Sequence, residues 1–122
     1  MKDSKLMDSS VWLAYLFNGN YSEIIDSSEI LLLSALSLFE IKKKLEKSKV
    51  EKSKIAKSME FIKKRSLIIP VSEKIAENAV DFSLENGLSI IDSIIYTTSI
   101  LNDSTLMTLD NDFRGLKHAM LL

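Results

Sequence analysis

In residues 105–114, Thr105-Leu106-Met107-Thr108-Leu109-Asp110-Asn111-Asp112-Phe113-Arg114, an apolar, β-prone run ends on two closely spaced carboxylates. Leu106, Met107 and Leu109, with Thr105 and Thr108, suit a short buried strand, whereas Asp110, Asn111 and Asp112 are depleted from strands and favour turns and helix starts. The carboxylates therefore belong at the C-terminal end of that strand. In open α/β sheets this edge is where ligands bind, so the question is whether other strands deliver acids to it.

Upstream, Lys5-Leu6-Met7 reads as a strand entering Asp8-Ser9-Ser10, and Val11-Trp12-Leu13-Ala14-Tyr15-Leu16-Phe17 reads as a helix stopped at Gly19. One of Asp8, Ser9 or Ser10 is expected to cap that helix. Residues 21–28 follow as a short helix with Ile24 and Ile25 turned inward. Ile30-Leu31-Leu32-Leu33-Ser34 is a continuous apolar run of the kind buried on both faces of a parallel sheet. In residues 35–47, Leu38, Phe39, Ile41 and Leu45 repeat at helical spacing, and Ser37-x-x-Glu40 matches a capping box.

A second basic helix is predicted over 49–65, with Val50, Ile55, Met59 and Ile62 inward. Leu67-Ile68-Ile69 reads as another buried strand, ended by Pro70. Ser72 starts a helix running to Glu85 and stopped at Asn86-Gly87. Ser89-Ile90-Ile91-Asp92 opens the next, which runs to Asn102, with Ser89-x-x-Asp92 as a second capping box. Residues 115–122 read as an edge strand or a partner-binding tail. This order predicts an α/β fold, a three-layer α/β/α sandwich with a mostly parallel central sheet, with residues 1–122 as a single domain.

Composition narrows the chemistry. The 122 residues are 46% hydrophobic and 27% charged, contain no cysteine and have a single histidine, His118. Disulfides, thiolate metal sites and polyhistidine metal sites are excluded, so any metal needs oxygen ligands. With no apolar run of about 18 residues and no signal-peptide core, the chain is expected to be cytoplasmic and without membrane contact. The net charge of −1 conceals an asymmetry. Residues 42–65 carry eleven basic residues against three acids, a net of +8; the remainder carries five against fourteen, a net of −9. A polyanion-attracting flank beside an acidic pocket is one consequence, and a merely solvated Lys-rich surface is the other.

Asp8, Glu40, Asp92 and the pair Asp110 and Asp112 each have a capping explanation taken singly. In a parallel sheet the strand ends share one edge, so Asp8, Glu40 and Asp110 should meet there, with Asp92 starting a helix that faces them. Crowded carboxylates repel unless protonated or neutralised, and a hard divalent cation such as Mg²⁺ is a natural neutraliser. Such a site can activate water and polarise a phosphodiester. The roles assigned are metal ligation for Asp8, Asp92 and Asp110, metal ligation or support of the ligands for Asp112, a proton-handling or water-holding role for Glu40, and orientation of the carboxylates by Ser10 and Thr108. Lys42, Lys43, Lys44, Lys47, Lys63, Lys64 and Arg65 flank the predicted pocket and are candidates for contacts to the phosphates of a polyanion. Tyr96 and Phe113 are expected in the core, and Trp12 is expected to pack or to join a dimer.

The pieces Leu6-Met7-Asp8-Ser9-Ser10-Val11, Ser34-Ala35-Leu36-Ser37-Leu38-Phe39-Glu40-Ile41, Ile90-Ile91-Asp92-Ser93-Ile94-Ile95-Tyr96 and Leu106-Met107-Thr108-Leu109-Asp110-Asn111-Asp112-Phe113 resemble the motifs of PIN domains. The resemblance is to the VapC-type toxins of toxin–antitoxin pairs. It implies an endoribonuclease dependent on Mg²⁺ or Mn²⁺, dimeric, and silenced by a VapB-like antitoxin. It also implies that Asp8, Glu40, Asp92 and Asp110 form the catalytic quartet, with Asp112 as a fifth acid and Ser10 and Thr108 as supporting hydroxyls. The chain departs from many relatives in one respect: Ser89, Ile90 and Ile91 stand where another acid precedes Asp92, which leaves one metal position short of a ligand. The alternative is a catalytically silent PIN-like interaction module, against which the complete quartet argues. A receiver domain would want adjacent acids after its first strand, and a haloacid-dehalogenase-type phosphatase an acid at Ser10.

Overall fold

The structure, a computed structural model, describes residues 4–122. Five short strands, β1 (Lys5–Met7), β2 (Leu31–Ser34), β3 (Ser66–Ile69), β4 (Thr105–Thr108) and β5 (Ala119–Leu121), form one sheet in the order β3-β2-β1-β4-β5. Every neighbouring pair is parallel, and Leu6 lies level with both Leu32 and Leu106. The helices are α1 (Ser9–Asn18), α2 (Ser22–Ile25), α3 (Ala35–Lys47), α4 (Lys52–Arg65), α5 (Glu73–Asn86) and α6 (Ile90–Leu101).

Alternation along the strands divides the core between the two faces of the sheet. Met7, Leu31, Leu33 and Met107 meet Val11 and Trp12 of α1, Ile41 and Leu45 of α3, and Ile55, Met59 and Ile62 of α4. Leu6, Leu32 and Leu106 point the other way, onto Ile95 and Tyr96 of α6, Leu88 and Phe113. The expected α/β/α layering is therefore present. Each fully buried Leu, Ile or Met contributes roughly 1.5–3 kcal/mol relative to exposure, so the three inner strands hold the layers together.

Helix boundaries follow local chemistry. Ser72 Oγ accepts from the Ile75 amide at 3.1 Å and Ser89 Oγ from the Asp92 amide at 3.1 Å, as the sequence predicts for both caps. Gly19 (φ 72°) and Gly87 (φ 65°) close α1 and α5 in the left-handed region where a Cβ is strained.

Several expectations are corrected. The capping box on Ser37 and Glu40 does not form, because α3 begins one turn earlier: Ser34 Oγ takes the cap from the Leu36 amide at 3.2 Å, and Ser37 is buried. Phe39 is 65% exposed, since Leu38, Ile41 and Leu45 occupy the inward stripe and Phe39 faces away from it. β3 is not an interior strand but the sheet's edge, and Leu67 is 60% exposed there. The basic helix α4 begins at Lys52, after Lys49 turns the chain with φ 59°. Of the two readings of the C-terminal stretch, the edge strand is the one observed, as β5. Among the described residues no helix is long and apolar enough to cross a membrane.

A candidate acidic site at the sheet edge

The parallel sheet sends the ends of β1, β2 and β4 to one edge. Asp8 directly follows β1, Asp110 lies two residues beyond β4, Glu40 stands in the second turn of α3 after β2, and Asp92 is the third residue of α6. Asp8 is only 6% exposed, yet its carboxylate caps no helix. Instead its Oδ2 accepts from Ser10 Oγ at 2.7 Å and from Thr108 Oγ1 at 2.9 Å.

Both hydroxyls work in two directions. Ser10 Oγ accepts from the Leu109 amide at 3.1 Å while donating to Asp8, and Thr108 Oγ1 accepts from the Asp110 amide at 3.0 Å while donating to the same carboxylate. The ends of β1 and β4 are thereby bolted together around Asp8, and two hydroxyl donors fix the orientation of its carboxylate. Asp110 Oδ1 accepts from the Asp112 amide at 2.9 Å, which opens the 3-10 turn Asn111–Phe113 and swings Asp112 back toward the site.

Carboxylate oxygens of Asp92, Asp110 and Asp112 lie within 4.8 Å of one another. Asp8 and Glu40 are not members of that trio but are close enough to act on it. Burial pushes the Asp92 carboxyl up to about 6, reinforced by the charges of Asp110, Asp8, Asp112 and Glu40 in that order. Glu40 is raised by burial and by Asp8 and Asp110, while a hydrogen bond from the Ser9 side chain opposes the rise. Five acids thus share one electrostatic neighbourhood, and the energy that crowds them is the energy a hard cation would relieve. An all-oxygen donor set with three converging carboxylates fits a cation of the Mg²⁺ or Mn²⁺ class.

Residues 5–119 match the model of the PIN domain. The chain belongs to the PIN domain family. No curated protein matches its sequence. Among solved structures, it is similar to a toxin–antitoxin complex from Klebsiella pneumoniae, with 24% identity, a TM-score of 0.77 and coverage of 95% of each chain. It is also similar to VapBC2 from Rickettsia felis, solved with a promoter DNA fragment, at 19% identity, a TM-score of 0.73 and coverage of 98% of this chain and 97% of that one. A third is VapC20 of Mycobacterium tuberculosis, a toxin that cleaves the sarcin-ricin loop, at 16% identity, a TM-score of 0.71 and coverage of 93% and 95%.

Within this PIN domain the remaining sequence candidates separate. Lys42, Lys43, Lys44, Lys47, Lys63 and Lys64 are all exposed on α3 and α4. Arg65 is not directed outward in the same way: its guanidinium donates to the backbone carbonyls of Ile25, Ser27 and Glu29, tying the end of α4 to the segment between α2 and β2. Tyr96 and Phe113 are core, as expected, and Tyr96 Oη donates to the Lys117 carbonyl at 2.7 Å. Trp12 packs rather than facing a partner: it is fully buried, edge-on to Tyr15 and Phe61. Ser9 is the site residue that sequence reasoning missed, because in the first turn of a helix it passes for a cap. Its position next to Asp8 was the available signal.

Proposed function

We propose that this PIN domain, as one nuclease unit spanning residues 1–122, is a Mg²⁺- or Mn²⁺-dependent endoribonuclease and the toxin of a toxin–antitoxin pair. The observation that carries the reading is the convergence of Asp92, Asp110 and Asp112 within 4.8 Å, with Asp8 and Glu40 charging the same edge. Asp8, Asp92, Asp110 and Asp112 would hold the cation. When bound, it would polarise the phosphodiester and acidify a water. Ser10 and Thr108 keep Asp8 aimed at the site. Glu40, whose affinity for a proton is raised, accepts a proton from the water as its oxygen adds to phosphorus and the bond to the leaving oxygen breaks.

The partners follow from the same reading. The exposed lysines of α3 and α4 would meet RNA phosphates, and a VapB-like antitoxin is the expected inhibitor, since one of the similar structures is a toxin–antitoxin complex and another is a VapBC protein. An apolar face on α5 and α6, with Leu84 79% and Ile90 77% exposed, supports a homodimer.

The test is to incubate the purified protein with a fluorescent RNA, with and without Mn²⁺, beside Asp8→Asn and Asp92→Asn. Cleavage that needs Mn²⁺ and falls by at least about 100-fold in both variants is expected, since each removes a group on which positioning of the reacting atoms depends. Equal cleavage by wild type and variants would point to a contaminant and leave the chain as a silent interaction module.

A further inference from the structure

We infer that Phe39 is a stacking platform for one base of single-stranded RNA beside the acidic edge, with Lys43, Lys44 and Lys47 holding the flanking phosphates. This deepens the nuclease reading and rests on it for the position of the scissile phosphate. Among the aromatic residues near the acids, Tyr96 is 4% and Phe113 1% exposed, whereas Phe39 stands out from α3 immediately before Glu40. A cavity of about 330 Å³ opens at this point, with Leu36, Phe39, Glu40 and Ile91 among its walls. That volume is at the lower end of the roughly 300–1,000 Å³ found for small-ligand clefts, which suits one splayed nucleotide better than a duplex. Ile91 and Glu40 tie the cavity to the site, since Ile91 precedes Asp92 in α6.

The remaining lining is cationic. Lys43, Lys44 and Lys47 border the same cavity. Phe39, Lys43 and Lys47 repeat every four residues and so form one row along α3, and the Lys43 Nζ lies 5.6 Å from the centre of the Phe39 ring. A flat π-face and a row of cations presented together match the alternation of base and phosphate along a single strand. Bases inside a duplex are already stacked on their neighbours, so an aromatic side chain can take only an unpaired one. An acidic peptide could pair with the lysines and pack an apolar side chain on Phe39; RNA binding indifferent to Phe39 is the outcome that would favour it.

Anisotropy titrations in EDTA, with a fluorescent single-stranded RNA and the same sequence as a duplex, test the assignment. Phe39→Ala is expected to weaken single-strand binding by about 5- to 150-fold, the equivalent of the ~1–3 kcal/mol carried by one stacked base, and to leave duplex binding unchanged. Phe39→Trp should bind at least as tightly as wild type, and Phe39→Leu should resemble Phe39→Ala. An exposed side chain leaves folding intact, so all three should keep the wild-type melting temperature. Phe39→Leu binding like wild type would reduce the contact to simple apolar packing and overturn the inference. So would equal weakening of single strand and duplex, or unchanged RNA binding with an altered oligomeric state, which would make Phe39 a contact between copies. Mn²⁺-dependent cleavage by wild type with indifferent Phe39 variants removes the platform and keeps the nuclease; the expected binding pattern without Mn²⁺-dependent cleavage does the reverse. Absence of RNA binding by wild type in EDTA removes the platform, and absence of Mn²⁺-dependent cleavage as well removes the nuclease.

Discussion

Asp92 is the residue at which the site's electrostatics become measurable. Its carboxyl titrates near 6 in the folded chain because of burial first and four neighbouring carboxylates second. The folded state therefore holds the proton more tightly than the unfolded chain does. Stability from this group is fully present below the unfolded value of about 3.8 and is lost as pH rises through about 6. In EDTA the melting temperature of the wild type should accordingly rise between pH 7 and pH 5 by more than that of Asp92→Asn, which has no proton to bind. Adding Mn²⁺ at pH 7 should restore much of the difference in the wild type alone, because ligand binding to the native state adds stability as RT ln(1 + [L]/Kd). Parallel melting curves for the two proteins at every pH would mean that neither burial nor the neighbouring acids raise the affinity of Asp92 for its proton. The identity of these acids was legible in the sequence, since each follows a recognisable strand or opens a recognisable helix. The orienting role of Ser10 and Thr108 was legible as well; that both act on Asp8, while Asp92, Asp110 and Asp112 form the trio, was not, because it depends on contacts spanning up to 100 residues.

Elements were readable where a single local signal dominated and misread where two competed. The β2 strand is buried at every position, three leucines and Ser34, and lies between two other strands, so its bounds are legible in the sequence almost to the residue. Leu67, Ile68 and Ile69 are just as apolar, but edge or interior position is a property of the sheet and leaves no mark on a three-residue run. At α3 two cap candidates competed, and Ser34 prevailed because the chain leaves β2 directly into the helix. Arg65 illustrates the same limit, since only the fold brings the carbonyls of Ile25, Ser27 and Glu29 around its guanidinium. Hydrogen bonds to a charged group are worth about 1.5–3 kcal/mol, so Arg65→Ala should lower the urea midpoint by the equivalent of roughly 2 kcal/mol with an unchanged slope. Single-strand RNA affinity at that position should change far less than for Lys43→Ala. A stable Arg65→Ala protein with weakened RNA binding would return Arg65 to the phosphate-contacting set.

At the scale of the whole molecule the charges are sorted, with a net of +8 in residues 42–65 and −9 in the remainder. The fold gives this sorting a direction, because α3 carries Glu40 into the acidic edge and, one and two turns further on, carries Lys43, Lys44 and Lys47 away from it. A polyanion approaching the molecule is repelled by the metal-free acids and attracted by the hairpin, so it should arrive along α3 and α4 and reach the acids only where a cation offsets them. Phosphate contacts release counterions, and for a single strand the slope of log K against log salt is about −0.7 for each phosphate neutralised. Replacing Lys43, Lys44 and Lys47 together by Glu should flatten that slope by about 2 and weaken binding most at low salt. Lys54→Glu with Lys57→Glu, on α4 and absent from the lining of the cavity at the acidic edge, should leave the slope nearly unchanged. Titrations of the same RNA across a salt series distinguish the two sets. Equal flattening by both would mean that RNA senses only the net charge of the hairpin, and a wild-type slope near zero would mean that the basic flank is a solvated surface with no share in binding.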